Sequence, residues 1–367
     1  MKPSLVLRAT GISVVAALGL AACGSDSNGT STNPGGSTSP SASSSSSCAT
    51  GSVTGQGSTF QANIEKQWIS DFTGQCSGAQ ITYTGTGSGA GIKQFGSGTI
   101  DYAGSDATMK PEEQAAADKR CGNTALHIPV TAGGVAVIYN VKGISSLNLS
   151  AATLAGIFDG SIKTWNASQI KGDNPGASLP STAIKTYHRS DGSGTTKVFT
   201  GFLKADAPAE WKLGSDKSIT WPSGLGANGS SGVVQGVKST DGGITYAEVS
   251  YAKQDSLPTA KVKGAQGDFT DISSATVSQS IDSGFNITGT GSDLAGKLDF
   301  TKMTGYPIST VSYVIVCSHY SDAAKGALIK AFLTYAVSTG QQQADALGFA
   351  PLPASLVTKA QATISSL

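Results

Sequence analysis

The stretch HRSDGSGTT, residues 188–196, sets an arginine two residues ahead of an acid and follows it with glycines and hydroxyls. Beyond Gly194 the apolar residues Val198, Phe199 and Phe202 have helical spacing, so the run reads as a loop that opens a helix. The first turn of a helix exposes backbone N–H groups without intrahelical partners and carries partial positive charge. Glycine lets a ligand approach that backbone, and Ser or Thr adds a hydroxyl donor, which together make an anion cradle. Arg189 supplies one strong counter-charge with planar donors suited to an oxyanion. Asp191 is expected to pair with it, fixing its orientation and moderating its charge.

Two further turns share this character: GQGSTF (55–60) and GTGSGAGIKQF (85–95). A single Gly/Ser turn is equally an ordinary helix cap, whereas three in one chain, one carrying an arginine, point to anion binding. Gly85-x-Gly87-x-x-Ala90 with Asp106 about twenty residues on also matches the loose dinucleotide fingerprint, but that reading leaves the other two turns unexplained.

In TIDYAGSDATM (99–109), Asp106 follows a strand-like run into a small-residue turn. It reads either as a cap or as an acceptor placed inside the anion site. Phosphate near neutral pH retains at least one proton, whereas sulfate has none. A buried carboxylate therefore accepts a hydrogen bond from the first and repels the second, a difference on the order of a few kcal/mol.

The alternation in QITYTG (80–85) and the apolar runs VAVIYN (135–140), GITYAEV (243–249) and TVSYVIV (310–316) predict strands. Phe60, Ile64, Trp68 and Phe72 recur every fourth residue, with Ser58 to Gln61 fitting a capping box ahead of them. Near the end, Leu328, Phe332 and Ala336 lie on one helical stripe. Strands alternating with helices imply an α/β architecture with mostly parallel sheets.

The 367 residues suffice for two domains, and 25 Lys+Arg against 24 Asp+Glu leave no basic surplus for nucleic acid. Residues 1–22, with Lys2, Arg8 and a short apolar run, read as a signal peptide. Leu20-Ala21-Ala22-Cys23 fits a lipobox, making Cys23 the lipidated first residue of the mature chain. Residues 23–48 are then a Ser/Gly-rich tether that cannot order itself by burial, with a reach of roughly 25–30 Å.

Of the five cysteines, Cys48, Cys76, Cys121 and Cys317 remain for two disulfides, with three connectivities open. The expected pairing is Cys76–Cys121 and Cys48–Cys317. No CxxC is present, His127, His188 and His319 are scattered, and no metal or cofactor is expected.

GQGSTF, YTGTGSGAGIKQF, IDYAGSDATM, IFDGSIKTWN (157–166), HRSDGSGTT, DGGITYAEVSYA (241–252) and GYPISTVSYVIV (305–316) follow one another in this order. In that combination the chain resembles the phosphate-binding lipoproteins of bacterial high-affinity phosphate ABC transporters, over essentially everything after the tether. The resemblance implies a bilobal periplasmic-binding-protein fold of type II with two hinge crossings. Lobe I would comprise 49–140 plus 307–367, and lobe II 141–306. It implies that Thr59 and the Phe60 N–H bind phosphate oxygens, that Ser88 donates, and that Asp106 accepts the phosphate proton. Arg189, Ser193, Gly194 and Thr195 would close from the other lobe. Gln61 stands where many relatives have proline. The implied protein is a lipid-anchored monomer outside the cytoplasm that delivers phosphate to a membrane permease and is not an enzyme. The competing readings are an exported phosphate-ester hydrolase with Ser193 or Ser88 as nucleophile, although neither G-x-S-x-G nor an evident His partner accompanies them, and a purely adhesive surface lipoprotein.

Overall fold

The structure is a computed structural model that describes residues 48–367; the signal peptide, most of the tether and Cys23 lie outside the described residues. The chain begins with β1 (Gly51–Gly57), α1 (Ala62–Gln75), β2 (Ala79–Gly85), α2 (Ser88–Gly96), β3 (Tyr102–Ser105), α3 (Pro111–Cys121) and the 16-residue β4 (Ala125–Asn140). It continues through β5 (Asn148–Ser150), α4 (Ala151–Phe158), α5 (Ser168–Asp173), β6 (Lys185–Arg189), α6 (Gly194–Asp206), β7 (Leu225–Ala227) and α7 (Gly229–Lys238). Then come β8 (Gly243–Glu248), α8 (Val249–Asp255), β9 (Lys261–Lys263), α9 (Ser274–Gly284), β10 (Phe285–Ile287), β11 (Gly296–Leu298), β12 (Ser309–Cys317) and α10 (Ala323–Ala336).

Eight strands form one sheet in the order β2-β1-β3-β12-β4-β8-β6-β7. Its two ends are parallel, β1 with β2 and β3, and β6 with β7 and β8. Its centre is antiparallel, through β3–β12, β12–β4 and β4–β8. The expectation of mostly parallel pairing thus holds only at the ends, because β4 and β12 cross the middle in opposite directions. Along β4 the partner changes: residues 125–134 pair with β12 and Val135–Asn140 with β8. Full burial on both faces explains why these strands read as apolar runs rather than as alternation.

Aromatic side chains pack against both halves of the sheet within one continuous core. In the first, Ile64, Trp68 and Phe72 of α1 are buried, Phe72 meets Phe332 of α10 edge-on at 5.7 Å, and the Trp68 indole donates to the Gly340 carbonyl at 2.9 Å. In the second, Phe199 stacks on Tyr246 at 4.4 Å and meets Phe158 at 4.8 Å. Ring pairs of this kind add about 0.5–1.5 kcal/mol beyond their buried area.

The disulfides are Cys48–Cys76 and Cys121–Cys317, with Cα separations of 5.3 and 5.4 Å, which corrects the expected pairing. The reason is strand order. Parallel pairing of β1 with β2 brings the residues just before each strand together, and the Gly51 N–H donates to the Gly78 carbonyl. Cys121 ends α3 next to β4, whose Ala125 faces Cys317 at the end of β12.

Candidate functional site

The three Gly/Ser turns open as read, though the first differs in detail. Helix α1 starts at Ala62, and Gln61 at its N-cap makes no side-chain capping bond. The Ser58 hydroxyl does accept from the Phe60 and Gln61 N–H groups, at 3.0 and 3.4 Å. Its own proton goes elsewhere, to Asp106 Oδ1 at 2.5 Å. The expected capping box is therefore replaced by a serine tied into the site. The third turn follows the expectation: Ser193 caps α6 by accepting from the Thr196 N–H at 3.1 Å.

Asp106 ends the short path from β3 and caps no helix. It is 4 % exposed. Ser58 and, at 2.8 Å, Ser312 of β12 approach Oδ1. Ser88 and Thr195 lie 3.5 and 3.4 Å from Oδ2. Burial pushes this carboxyl above its ordinary value, and the Ser58 and Ser312 hydroxyls, the Arg189 charge and Thr195 oppose that. The N-termini of α2 and α6 meet here: the Gly194 N–H donates to Ser88 Oγ at 3.1 Å, and the Gly89 N–H to the Gly192 carbonyl at 2.8 Å. A Cβ at residue 194 would lie 2.5 Å from Ser88 Oγ and 2.8 Å from Asp106 Oδ2, so only glycine lets α6 come this close.

Arg189 is almost fully buried at the end of β6. Asp191 grips it with both oxygens, Nε donating to Oδ1 at 2.7 Å and the second prong joining the other nitrogen to Oδ2. The Gly229 N–H at the start of α7 also donates to Asp191, at 3.0 Å. Burial pushes the Asp191 carboxyl up, but the Arg189 bonds and charge and the Gly229 N–H outweigh it and leave the group below its ordinary value. Arg189 also reaches Ser230 at 3.4 Å, and Ser230 Oγ lies 2.9 Å from Thr59 Oγ1. The Tyr251 hydroxyl donates to the Thr59 carbonyl at 2.6 Å.

Thr59, Phe60, Ser88, Asp106, Arg189, Asp191, Ser193, Gly194 and Thr195 thus converge from both halves of the sheet on one cleft. Within it Phe60 presents its backbone to Ser58, while its ring packs on Phe349. The sequence reading missed four residues. Ser58 sits inside the first Gly/Ser turn. Ser230 belongs to a fourth Gly/Ser helix start, GANGSSG (226–232). Ser312 shares its buried strand with the hydroxyls of Ser309 and Thr310, so nothing in the sequence singles it out, and Tyr251 carries no signal either. Ser88 and Ser193 have no histidine among their hydrogen-bond partners; His127 pairs with Asp293 and His188 stacks on Trp221. Among the described residues no cluster of His, Cys, Asp or Glu is placed to hold a metal, and no helix is long and apolar enough to cross a membrane.

A mixed α/β sheet whose two halves aim helix N-termini at a shared cleft is the architecture of the two-lobed periplasmic-binding proteins. The PBP superfamily domain matches residues 42–339. Phosphate-binding protein PstS 3 of Mycobacterium tuberculosis is 39% identical over 364 residues, 98% of each chain. Phosphate-binding protein PstS of Xylella fastidiosa is 33% identical, covering 84% of each. Among solved structures, a high-affinity periplasmic phosphate-binding protein bound with phosphate superposes with a TM-score of 0.69 at 22% identity, over 85% of this chain and 93% of its own. A phosphate-binding protein from Stenotrophomonas maltophilia does so at 0.68 and 21%, with the same coverage. The chain belongs to the PstS family of phosphate-binding proteins, and its fold is the bilobal α/β fold expected.

Proposed function

We propose that this protein is the extracytoplasmic, lipid-anchored receptor of a phosphate ABC transporter, closing two lobes around one inorganic phosphate and presenting it to the membrane permease as a monomer. The observation that carries the reading is the pairing of opposites in the cleft: a buried carboxylate at Asp106, and an arginine already matched by Asp191. Such a site holds little net positive charge, so it favours an oxyanion by hydrogen-bond count. Hydroxyls and N–H groups from Thr59, Phe60, Ser88, Ser193, Gly194 and Thr195 supply donors, Arg189 adds its planar face, and Asp106 accepts the proton that phosphate still carries.

The lobes are 49–140 plus 307–367 and 141–306. The change of partner along β4 supports a crossing on that strand, with β12 providing the return. Hinge closure about such crossings brings the two sets of donors together. The relatives' names support phosphate as the ligand, and the lipobox at Cys23 supports the anchor. Titration calorimetry of the purified protein tests the reading: one phosphate per chain, with an accompanying rise in melting temperature, is expected. Absence of both, or turnover of a chromogenic phosphate ester, would overturn it.

A further inference from the structure

Behind Asp106 lies a second carboxylate that touches no donor of the cleft. Glu65 of α1 is fully buried. The Tyr102 hydroxyl reaches its Oε1 at 2.9 Å, and the Gln61 amide lies 3.2 Å from its Oε2. The other end of the Gln61 amide lies 2.6 Å from Ser312 Oγ, and Ser312 lies 2.8 Å from Asp106 Oδ1. Gly104 leaves room for this arrangement, since a Cβ there would come within 2.7 Å of the Gln61 amide nitrogen.

With one proton between its two carboxylates, donor counting allows this chain two arrangements. Ser312 has one proton and two close partners, Gln61 and Asp106, with the Ser105 carbonyl farther off at 3.5 Å. If the Gln61 oxygen faces Ser312, it takes that proton, and Asp106 must itself be protonated to complete the contact. If the amide is turned, its NH2 donates to Ser312, which is then free to donate to an ionised Asp106. The Gln61 oxygen now faces Glu65, which must be protonated to donate to it. Two carboxylates therefore share one proton across Gln61 and Ser312.

We propose that Glu65 and Gln61 are positioning residues that set how Asp106 is hydrogen-bonded through Ser312, so that phosphate recognition depends on a proton held at Glu65. The inference rests on the phosphate reading of the cleft. With the proton on Glu65, Asp106 is a carboxylate, accepts from phosphate and repels sulfate. When that proton is lost to solvent both carboxylates are ionised, the amide turns back to donate to Glu65, Ser312 gives its proton to Gln61, and Asp106 keeps its charge but loses the Ser312 bond that orients it. The remaining groups facing Glu65 do not replace the proton. Tyr102 and Tyr83 come from the sheet, and both are pushed up by burial and by the Glu65 charge itself. Asp101, beside Tyr102, is held by Lys325 of α10 at 2.7 Å. Lys330 of α10 is bonded to the Ser365 and Leu367 carbonyls, and Asp71 of α1 to Gln67 and Gln343. Burial raises the Glu65 carboxyl to about 7 against the Tyr102 and Gln61 bonds, which puts the exchange near neutrality.

The test is calorimetric titration of the full chain with inorganic phosphate and with sulfate at pH 6 and pH 8.5, for the unmodified protein, Glu65→Gln and Gln61→Met. The anion's own ionisation is common to all three and cancels in the comparison. Glutamine at 65 donates to Gln61 at every pH, and methionine at 61 cannot take the Ser312 proton. The unmodified protein is expected to lose about tenfold more phosphate affinity between the two pH values than Glu65→Gln does. Its phosphate-to-sulfate ratio falls alongside, and Gln61→Met follows the flatter curve. A role in packing alone would shift affinity by one factor at both pH values. Curves for either variant running parallel to the unmodified protein would overturn the relay while leaving phosphate binding standing. No phosphate binding by the unmodified protein at either pH would instead overturn the reading beneath it.

Discussion

Thr195 Oγ1 lies 3.4 Å from Asp106 Oδ2, although 89 residues separate them and they stand on opposite halves of the sheet. The helix start read from HRSDGSGTT therefore delivers its hydroxyl to a buried carboxylate that no ion pair neutralises directly. On the proposed phosphate reading, how that meeting is held, and what charge it presents, governs which anion the cleft accepts.

On the same reading, the Arg189–Asp191 pair sets how strongly the cleft attracts anions in general. Asp191→Asn keeps the shape but releases the full guanidinium charge. Sulfate affinity is expected to rise, on the order of 1 kcal/mol, and binding to become more salt-sensitive. Titrations at two ionic strengths check this; unchanged sulfate binding would mean that Asp191 does not moderate the arginine.

Two ion pairs join the elements on either side of the cleft. Lys217 meets Glu113 at 2.6 Å, and Lys110 meets Asp216 at 2.7 Å. Lys217 is the more buried of the two lysines, and its carbonyl accepts the Ser193 N–H at 2.8 Å, tying the pair to the α6 turn. Lys217→Met is expected to speed phosphate release about 3- to 10-fold with little change in association rate. Stopped-flow displacement measures both rates, and an altered association rate alone would refute a closing role.

Glu248 predicts a pH dependence of stability. It is fully buried at the start of α8, where Oε2 accepts the Ser250 N–H at 2.9 Å and Oε1 has no partner. Burial pushes its carboxyl from 4.5 up to about 8 against the Ser250 bonds. Below 4.5 the folded and unfolded chains both hold the proton; between there and about 8 only the folded chain does, so stability falls as pH rises through that window. Glu248→Gln should lose less stability between pH 5 and pH 8, by about 1–3 kcal/mol. Urea unfolding at the two pH values decides it, a slope equal to that of the unmodified protein being the contrary result.

The Cys121–Cys317 bridge closes a separation of 196 residues, against 28 for Cys48–Cys76. Loop entropy gives the longer bridge the larger effect on the unfolded chain, about 5 kcal/mol against about 3.5 kcal/mol. Paired Cys→Ala variants compared by urea unfolding should keep this order; a larger loss at Cys48–Cys76 would reverse it.

Much of the architecture was legible from local patterns. The four expected strands and the helices after residues 60, 194 and 323 all form, because their apolar periodicity matches the faces they bury. The Gly/Ser turns and Asp106 were legible because glycine, hydroxyl and acid residues advertise their chemistry in one dimension. What escaped depends on partners distant in sequence. The cysteine pairing follows from which strands lie side by side, and the antiparallel centre from β4, which pairs with β12 along its first part and with β8 along its last. Ser312 is 206 residues from the carboxylate it serves, and Gln61, read as a helix-start substitution, turns out to bridge two carboxylates.

The most direct test of the central claim is to measure phosphate and sulfate affinity side by side for the unmodified protein and for Asp106→Asn. If the cleft selects its guest by the proton that guest still carries, the unmodified protein binds phosphate and rejects sulfate. The variant then loses on the order of 1–3 kcal/mol toward phosphate and gains toward sulfate, so the ratio collapses. An Asp106→Asn protein that discriminates between the two anions as strongly as before would contradict the account.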